Sequence, residues 1–317
     1  MWPKSRKLEY PLDAEGHYYD LLERTSVFRN QPMHWYSGYD GPWIENYFID
    51  TFIDKPLSYF NGMIPLFVQW VDTMVEANDF DKIVKLMREI LRPNVMYLAV
   101  SQSDKGLEDV QRHHPNILTI SAGGWGHIPI PLIKGEVPYQ PLPNTFLYDT
   151  VFFGNVNQHS RPEALQNMRK TFPKYNVKFE FGTYAKDWAE KLRTTQFPLA
   201  PRGFGRSSFR FSEIIQAGRA PIYVYDDVAW LPYTGTNSSI EKYGMSISNH
   251  NDMKGLAQFL SNVTDAKYRE IADVVLKMRE DFTYRGVMKN IDLFLKDPLG
   301  PNGGLLRCSA VPLKDHR

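Results

Sequence analysis

Between Pro201 and Glu213 the chain reads Pro201-Arg202-Gly203-Phe204-Gly205-Arg206-Ser207-Ser208-Phe209-Arg210-Phe211-Ser212-Glu213. Gly203 and Gly205 let the backbone approach a ligand closely. Ser207 and Ser208 stand where a helix should begin, and free N–H groups at such an end suit phosphate oxygens. Arg202, Arg206 and Arg210 can each fork onto a diphosphate. Glu213, one turn past Arg210, can accept hydrogen bonds from ribose hydroxyls. The same residues also admit a plainer account, a strand–turn–helix unit whose glycines only make the turn and whose arginines are solvated.

Other reactive residue types are weaker signals. Asp226-Asp227 ends an apolar run. Asp79-Phe80-Asp81 matches an Asp-x-Asp metal pattern, but acidic residues in a first helical turn complement the dipole, and capping is the favoured account. His113-His114 and His127 lack zinc spacing. Tyr36, Tyr39, Asp40, Trp43 and Glu45 form an aromatic and acidic cluster that reads equally as an acceptor platform or as the packed entry to a helix from about residue 43. No metal site is expected, since arginines and a helix end can stabilise a leaving diphosphate.

The elements that must position these groups alternate. In the second half, strands are expected at 150–153, 178–181, 197–200 and 220–225, with helices opening at Ser160 through a Ser160–Glu163 capping box and running over 184–194 and 208–217. In the first half, buried strands are expected at 63–70, 95–100, 117–121 and 128–133, with a helix at 79–91. Helices near 252–260, 265–281 and 286–295 close the chain. Strands alternating with helices imply parallel sheets covered on both faces. The Pro- and Gly-rich stretch 135–144 is the natural linker. The expected division is residues 1–144, residues 145–300 and a tail over 301–317.

Composition sets the bounds. The 317 residues are 43% hydrophobic and 23% charged with a net charge of +1, so no overall field argues for nucleic acid. Aromatics reach 14%, which fits sugar-stacking surfaces but fits well-filled cores better. Cys308 is the only cysteine, so an internal disulfide is excluded. No apolar run approaches the roughly 20 residues needed to span a bilayer, and Asn237-Ser238-Ser239 and Asn262-Val263-Thr264 carry little weight as glycosylation signals. A soluble, reduced, cytoplasmic protein is the expectation, with a trimmed Golgi-type catalytic domain as the alternative.

Pro201-Arg202-Gly203, Ser208-Phe209-Arg210-Phe211, Glu213, Gln216-Ala217, Pro221, Asp226-Asp227 and Trp230-Leu231-Pro232 together resemble the signature of exostosin-domain glycosyltransferases. Phe152-Phe153-Gly154 with Arg161, the run Tyr97 to Gly106, and Ile128-Pro129-Ile130-Pro131 are similar to the family further upstream. Ser103 departs from the histidine usual before the loop aspartate. The resemblance implies an α/β fold of two Rossmann-like domains facing a central crevice (the GT-B arrangement). It implies an inverting enzyme that moves a sugar, xylose or another small donor among the choices, from a UDP-sugar to a hydroxyl of a glycan. The donor pocket would comprise Gly154, Arg161, Arg202, Gly203, Arg206, Ser207, Ser208, Arg210, Glu213, Asp226 and Asp227. Asp104, at a strand end in the N-terminal half, is the candidate base, with capping of a helix from about Leu107 as its competing role. His127, Glu45 and Asp40 stand in reserve. The UDP-sugar would be a substrate, with no tightly bound cofactor and no required divalent metal. A silent UDP-sugar-binding subunit that supports a partner transferase is the alternative.

Overall fold

The computed structural model describes residues 8–35, 39, 41–233, 239–249, 253–298, 300 and 302–308. Tyr36, Asp40 and Asn237 lie outside them. Two compact units divide the chain: one takes residues 1–130, 232–234 and 284–317, the other 131–231 and 235–283.

The first unit holds a four-stranded sheet of β1 (Met63–Pro65), β2 (Met96–Ser101), β3 (Ile117–Ser121) and β4 (Ile128–Pro129), in that order and parallel throughout. β2 sits inside the sheet and is buried along nearly its whole length, as a strand covered on both faces must be. Helices α1 (Ala14–Arg24), α2 (Ile44–Phe52), α3 (Trp70–Val75), α4 (Ala77–Ile90) and α5 (Glu108–Gln111) accompany it. The expected strand 63–70 stops at Pro65, and α3 then starts at Trp70. β4 is two residues long because Pro129 and Pro131 cannot donate to a ladder. Only residues 122–127 separate β3 from its parallel neighbour β4, a return made by Gly124 and Gly126 at φ +126° and +147°. Asp79 lies in the first turn of α4, where it complements the dipole, and pairs with Lys82 at 2.8 Å, but α4 starts at Ala77 after Glu76 and has no side-chain cap, so the expected capping is not formed.

The second unit carries β5 (Thr150–Phe153) paired with β6 (Phe179–Gly182), and β7 (Leu199–Pro201), β8 (Ile222–Tyr225) and β9 (Met245–Ser248) in a second sheet, again all parallel. Phe197 N donates to Asp149 O at 2.9 Å and joins the two pieces at their starts. Its helices are α6 (Arg161–Thr171), α7 (Trp188–Arg193), α8 (Phe209–Gln216), α9 (Met253–Asn262) and α10 (Asp265–Met278). Ser160 does precede α6, but its side chain makes no capping bond, so the expected capping box is not formed. Gly218 ends α8 at φ +79°, as a glycine past a helix end commonly does.

Both units are α/β, the expected class, but the boundaries differ from the composition-based ones. Residues 137–141 are tied to the end of α8: Val137 N donates to Gln216 Oε1, Gln140 N to Ala217 O, and the buried Arg219 to the carbonyls of Gln140 and Pro141. The last helix, α11 (Tyr284–Lys296), returns to the first unit. There Tyr284 stacks on Tyr47 of α2 at 4.1 Å, and Asn61 donates to Leu295 O. Among the described residues no helix is long and apolar enough to cross a membrane.

Candidate functional site

In the second unit, the loops that follow β5 and β7 are held together by arginines. Arg202 follows β7, with its own N–H on Val224 O at 2.9 Å. Its guanidinium binds the loop's own carbonyls, Gly205 O at 3.1 Å and Phe204 O at 3.0 Å, and both carboxylates at the end of β8, Asp226 and Asp227. Arg206, only 2% exposed, donates Nε to Asp227 Oδ2 at 2.8 Å. The Tyr223 hydroxyl donates to Arg206 O and accepts from Trp230 N. Gly203 N to Ser207 O, 2.7 Å, closes the loop. Burial pushes the Asp227 carboxyl up, but bonds from Arg206 and Val228 N and the charges of Arg206 and Arg202 outweigh it and leave it below its ordinary value.

Arg161, at the start of α6, crosses to the same loop. It donates to the carbonyls of Arg202 (2.7 Å), Pro201 (2.9 Å) and Asn155 (2.7 Å), with its guanidinium over the Phe152 ring. Burial, with Arg210 and Arg202 nearby, lowers its pKa to about 10. Arg210, in the first turn of α8, donates Nε to Phe153 O, pairs with Glu213 and lies 4.3 Å from the Trp188 ring centre. Gly154, next along β5, donates to Gly182 O.

The expected donor-side residues therefore converge, but in two tiers. Arg161, Arg202 and Arg206 are buried and spend their donors on the protein, whereas Arg210 and Glu213 are part-exposed. Four guanidinium groups face three carboxylates, which leaves one positive charge in addition to two helix N-termini. Ser208 caps α8 without a side-chain bond. A Cβ on Gly203 would meet nothing closer than Ser207 O at 3.4 Å, so protein packing does not demand glycine there. Trp188 and Asn249 were not legible as site residues. Asn249 follows β9, a strand without a clear alternation, donates its N–H to Tyr225 O, and is 2% exposed with both amide atoms unpartnered.

In the first unit the strand-end loops interlock. A Cβ on Gly123 would lie 1.8 Å from Ser103 O and 2.7 Å from Asp104 Cα, and one on Gly106 would lie 2.1 Å from Trp125 O. Asp104 belongs to this interlock, beyond the end of β2. The helix that follows, α5, starts at Glu108 with Leu107 at its N-cap position. Glu45 is 1% exposed, and its two oxygens accept Val71 N (2.7 Å) and Gln102 N (2.9 Å). Burial raises its pKa to about 7 against those two bonds. A carboxylate so enclosed pins α2 to α3 and to the end of β2, and cannot reach a substrate proton. His127 Nδ1 accepts from Thr119 N at 3.0 Å, which puts the neutral ring's proton on Nε2 and removes it as a base. Among the described residues no three His, Cys, Asp or Glu side chains cluster as a metal site would require.

No protein-family model matches the sequence, and no curated protein matches it. Solved structures do overlap with parts of it. A variant of TarM from S. aureus, held with fondaparinux, α-GlcNAc-glycerol and UDP, overlaps at TM-score 0.43 and 16% identity over 67% of this chain and 45% of that one. WaaG, a glycosyltransferase of lipopolysaccharide biosynthesis, overlaps at 0.37 and 10% identity over 63% of each chain. UGT89C1 of Arabidopsis thaliana, complexed with quercetin, overlaps at 0.36 and 13% identity over 93% and 82%. The chain spans less than half the length of TarM. At these overlaps the functional reading rests on the residues of this chain.

Proposed function

We propose that this chain is an inverting glycosyltransferase of the exostosin type, moving a hexosyl or pentosyl group from a UDP-sugar to a hydroxyl of a glycan. The observation that carries the reading is the surplus positive charge at the ends of β5 and β7, next to the uncapped start of α8. Such a site suits a diphosphate. In the reaction, the acceptor oxygen attacks the anomeric carbon from the face opposite the diphosphate. The bond from that carbon to the phosphate oxygen breaks, and UDP leaves with the electron pair. Arg210 and the α8 N–H groups stabilise the charge that develops on UDP. Glu213 accepts from the ribose. The unpartnered amide of Asn249 has the donor and acceptor that a uracil edge requires.

UDP release is the test. UDP-xylose, UDP-glucuronic acid, UDP-galactose and UDP-arabinose are offered with a pool of oligosaccharide acceptors. Acceptor-dependent UDP release from at least one donor is expected, and turnover within a few-fold after exhaustive chelation, because arginines and helix ends supply the positive charge. UDP binding without release from any donor favours the silent-subunit alternative. A loss on chelation restored only by manganese or magnesium overturns the metal-free mechanism.

A further inference from the structure

The start of α7 is fixed against the ends of β5 and β6, within the second unit. Lys191, one turn into the helix, pairs with Glu180 Oε2 of β6 at 2.6 Å. Its Nζ also lies over the Phe153 and Tyr148 rings, 5.4 Å and 5.3 Å from their centres. Trp188, the first residue of α7, meets the Phe153 ring with 6.1 Å between centres and 64° between planes. The indole is half-buried, and that edge contact keys it to the end of β5.

The guanidinium of Arg210 lies over the same indole, its Cζ 4.3 Å from the ring centre. Two in-plane bonds hold it as well, Nε to Phe153 O at 3.1 Å and Nη1 to Glu213. In-plane partners fix where the group sits but leave its tilt free, and a stack on the ring face removes that freedom. Nη2 bonds to no described residue, and the side chain keeps 27% of its surface in solvent. Arg161 stands near enough for the two positive charges to repel each other. A fixed guanidinium with an unspent nitrogen, and a second cation beside it, suits an anion.

We infer that Trp188 is a positioning residue for the leaving diphosphate: its indole sets the plane of Arg210 so that Nη2 is presented to a phosphate oxygen. The inference rests on the donor-site reading above and uses residues of the second unit alone. Without the indole, Arg210 keeps its bonds to Phe153 O and Glu213 but regains its tilt. That freedom must then be given up when the phosphate binds, and affinity falls. Among aromatic rings, Trp holds a cation best. Trp188 acts through Arg210 and needs no contact of its own with the nucleotide.

The experiment is a double-mutant cycle read with two ligands. Trp188→Leu should weaken UDP binding about five- to thirtyfold, the range of a partly desolvated cation–π contact. Binding of uridine, which has no phosphate, should stay within about twofold, and Trp188→Phe should fall between Trp188→Leu and wild type. In an Arg210→Ala background the change at Trp188 should cost UDP nothing further, because its partner is gone. Undiminished UDP affinity in Trp188→Leu, or a loss that is as large without Arg210, overturns the inference. An equal loss for uridine also overturns it, and makes the indole a platform for the base. If Trp188→Leu proves unstable, Trp188→Phe, which keeps a ring in place, carries the same cycle. The stack itself is read without ligand: the Arg210 Nε–H resonance, assigned by its absence in Arg210→Lys, should move when the indole's ring current is removed. A resonance that stays in place overturns the assignment. Wild-type protein that binds no UDP defeats the donor-site reading instead, which the resonance does not depend on.

Discussion

A guanidinium group offers five donors in one plane, and Arg202 spends its own on two loop carbonyls and two carboxylates at the end of β8. Arg210 spends fewer, on one carbonyl and on Glu213, and keeps part of its surface in solvent. The two should therefore respond differently to truncation. Arg202→Ala strands Asp226 and Asp227 and should cost about 3 kcal/mol of stability, the low end for a broken buried pair because Asp227 is part-exposed. Arg210→Ala should weaken UDP binding by about 1.5–3 kcal/mol, the range for charged hydrogen bonds, and cost the fold at most about 2 kcal/mol. Glu213→Gln should follow Arg210→Ala in binding, with stability held. Calorimetric titration with UDP beside thermal melts separates the two effects. Equal losses of affinity and stability at Arg210 would make it another loop staple.

At the scale of elements, two glycines mark two kinds of loop. Gly123 after β3 is a packing glycine, since any Cβ there would strike the Ser103 carbonyl. Gly203 after β7 has room for a Cβ and no left-handed backbone to protect. Gly203→Ala should leave stability unchanged or raise it by about 0.4–1 kcal/mol through the unfolded chain. If a diphosphate passes close to this backbone, the added methyl should weaken UDP binding at least about tenfold, or ~1.4 kcal/mol. Affinity equal to wild type would mean that the ligand does not approach at Gly203, and would move the diphosphate toward the start of α6.

For the molecule as a whole, the chain's return matters most. α11 completes the N-terminal unit through the Tyr47–Tyr284 stack, the Tyr59–Asp292 bond and the Asn61–Leu295 bond. A chain ended after Thr283 should lose the cooperative melting of that unit. It should keep UDP affinity within a few-fold, because Gln216 still bonds Phe282 O and Arg279 still bonds Gln216 O. Scanning calorimetry and UDP titration check both expectations. An intact two-unit melt would show that α11 is dispensable to the unit it joins.

Local pattern was enough for part of this. The alternation of apolar runs and amphipathic stretches marked β2, β3, β5, β8 and most helices, because a strand buried on both faces and a helix buried on one leave distinct periodicities. Glycine and arginine spacing marked the β7–α8 loop as the likeness of a phosphate site for the same reason: a turn and a helix start are local events. Two things were decided only in the tertiary structure. The unpatterned β9 became a strand by pairing with β8. Partners distant in sequence turned Arg161, Arg202 and Arg206 into staples of the loop, and Glu45 into a pin between helices. Burial and long-range pairing set how a titratable group can act, and neither is written in the residues beside it.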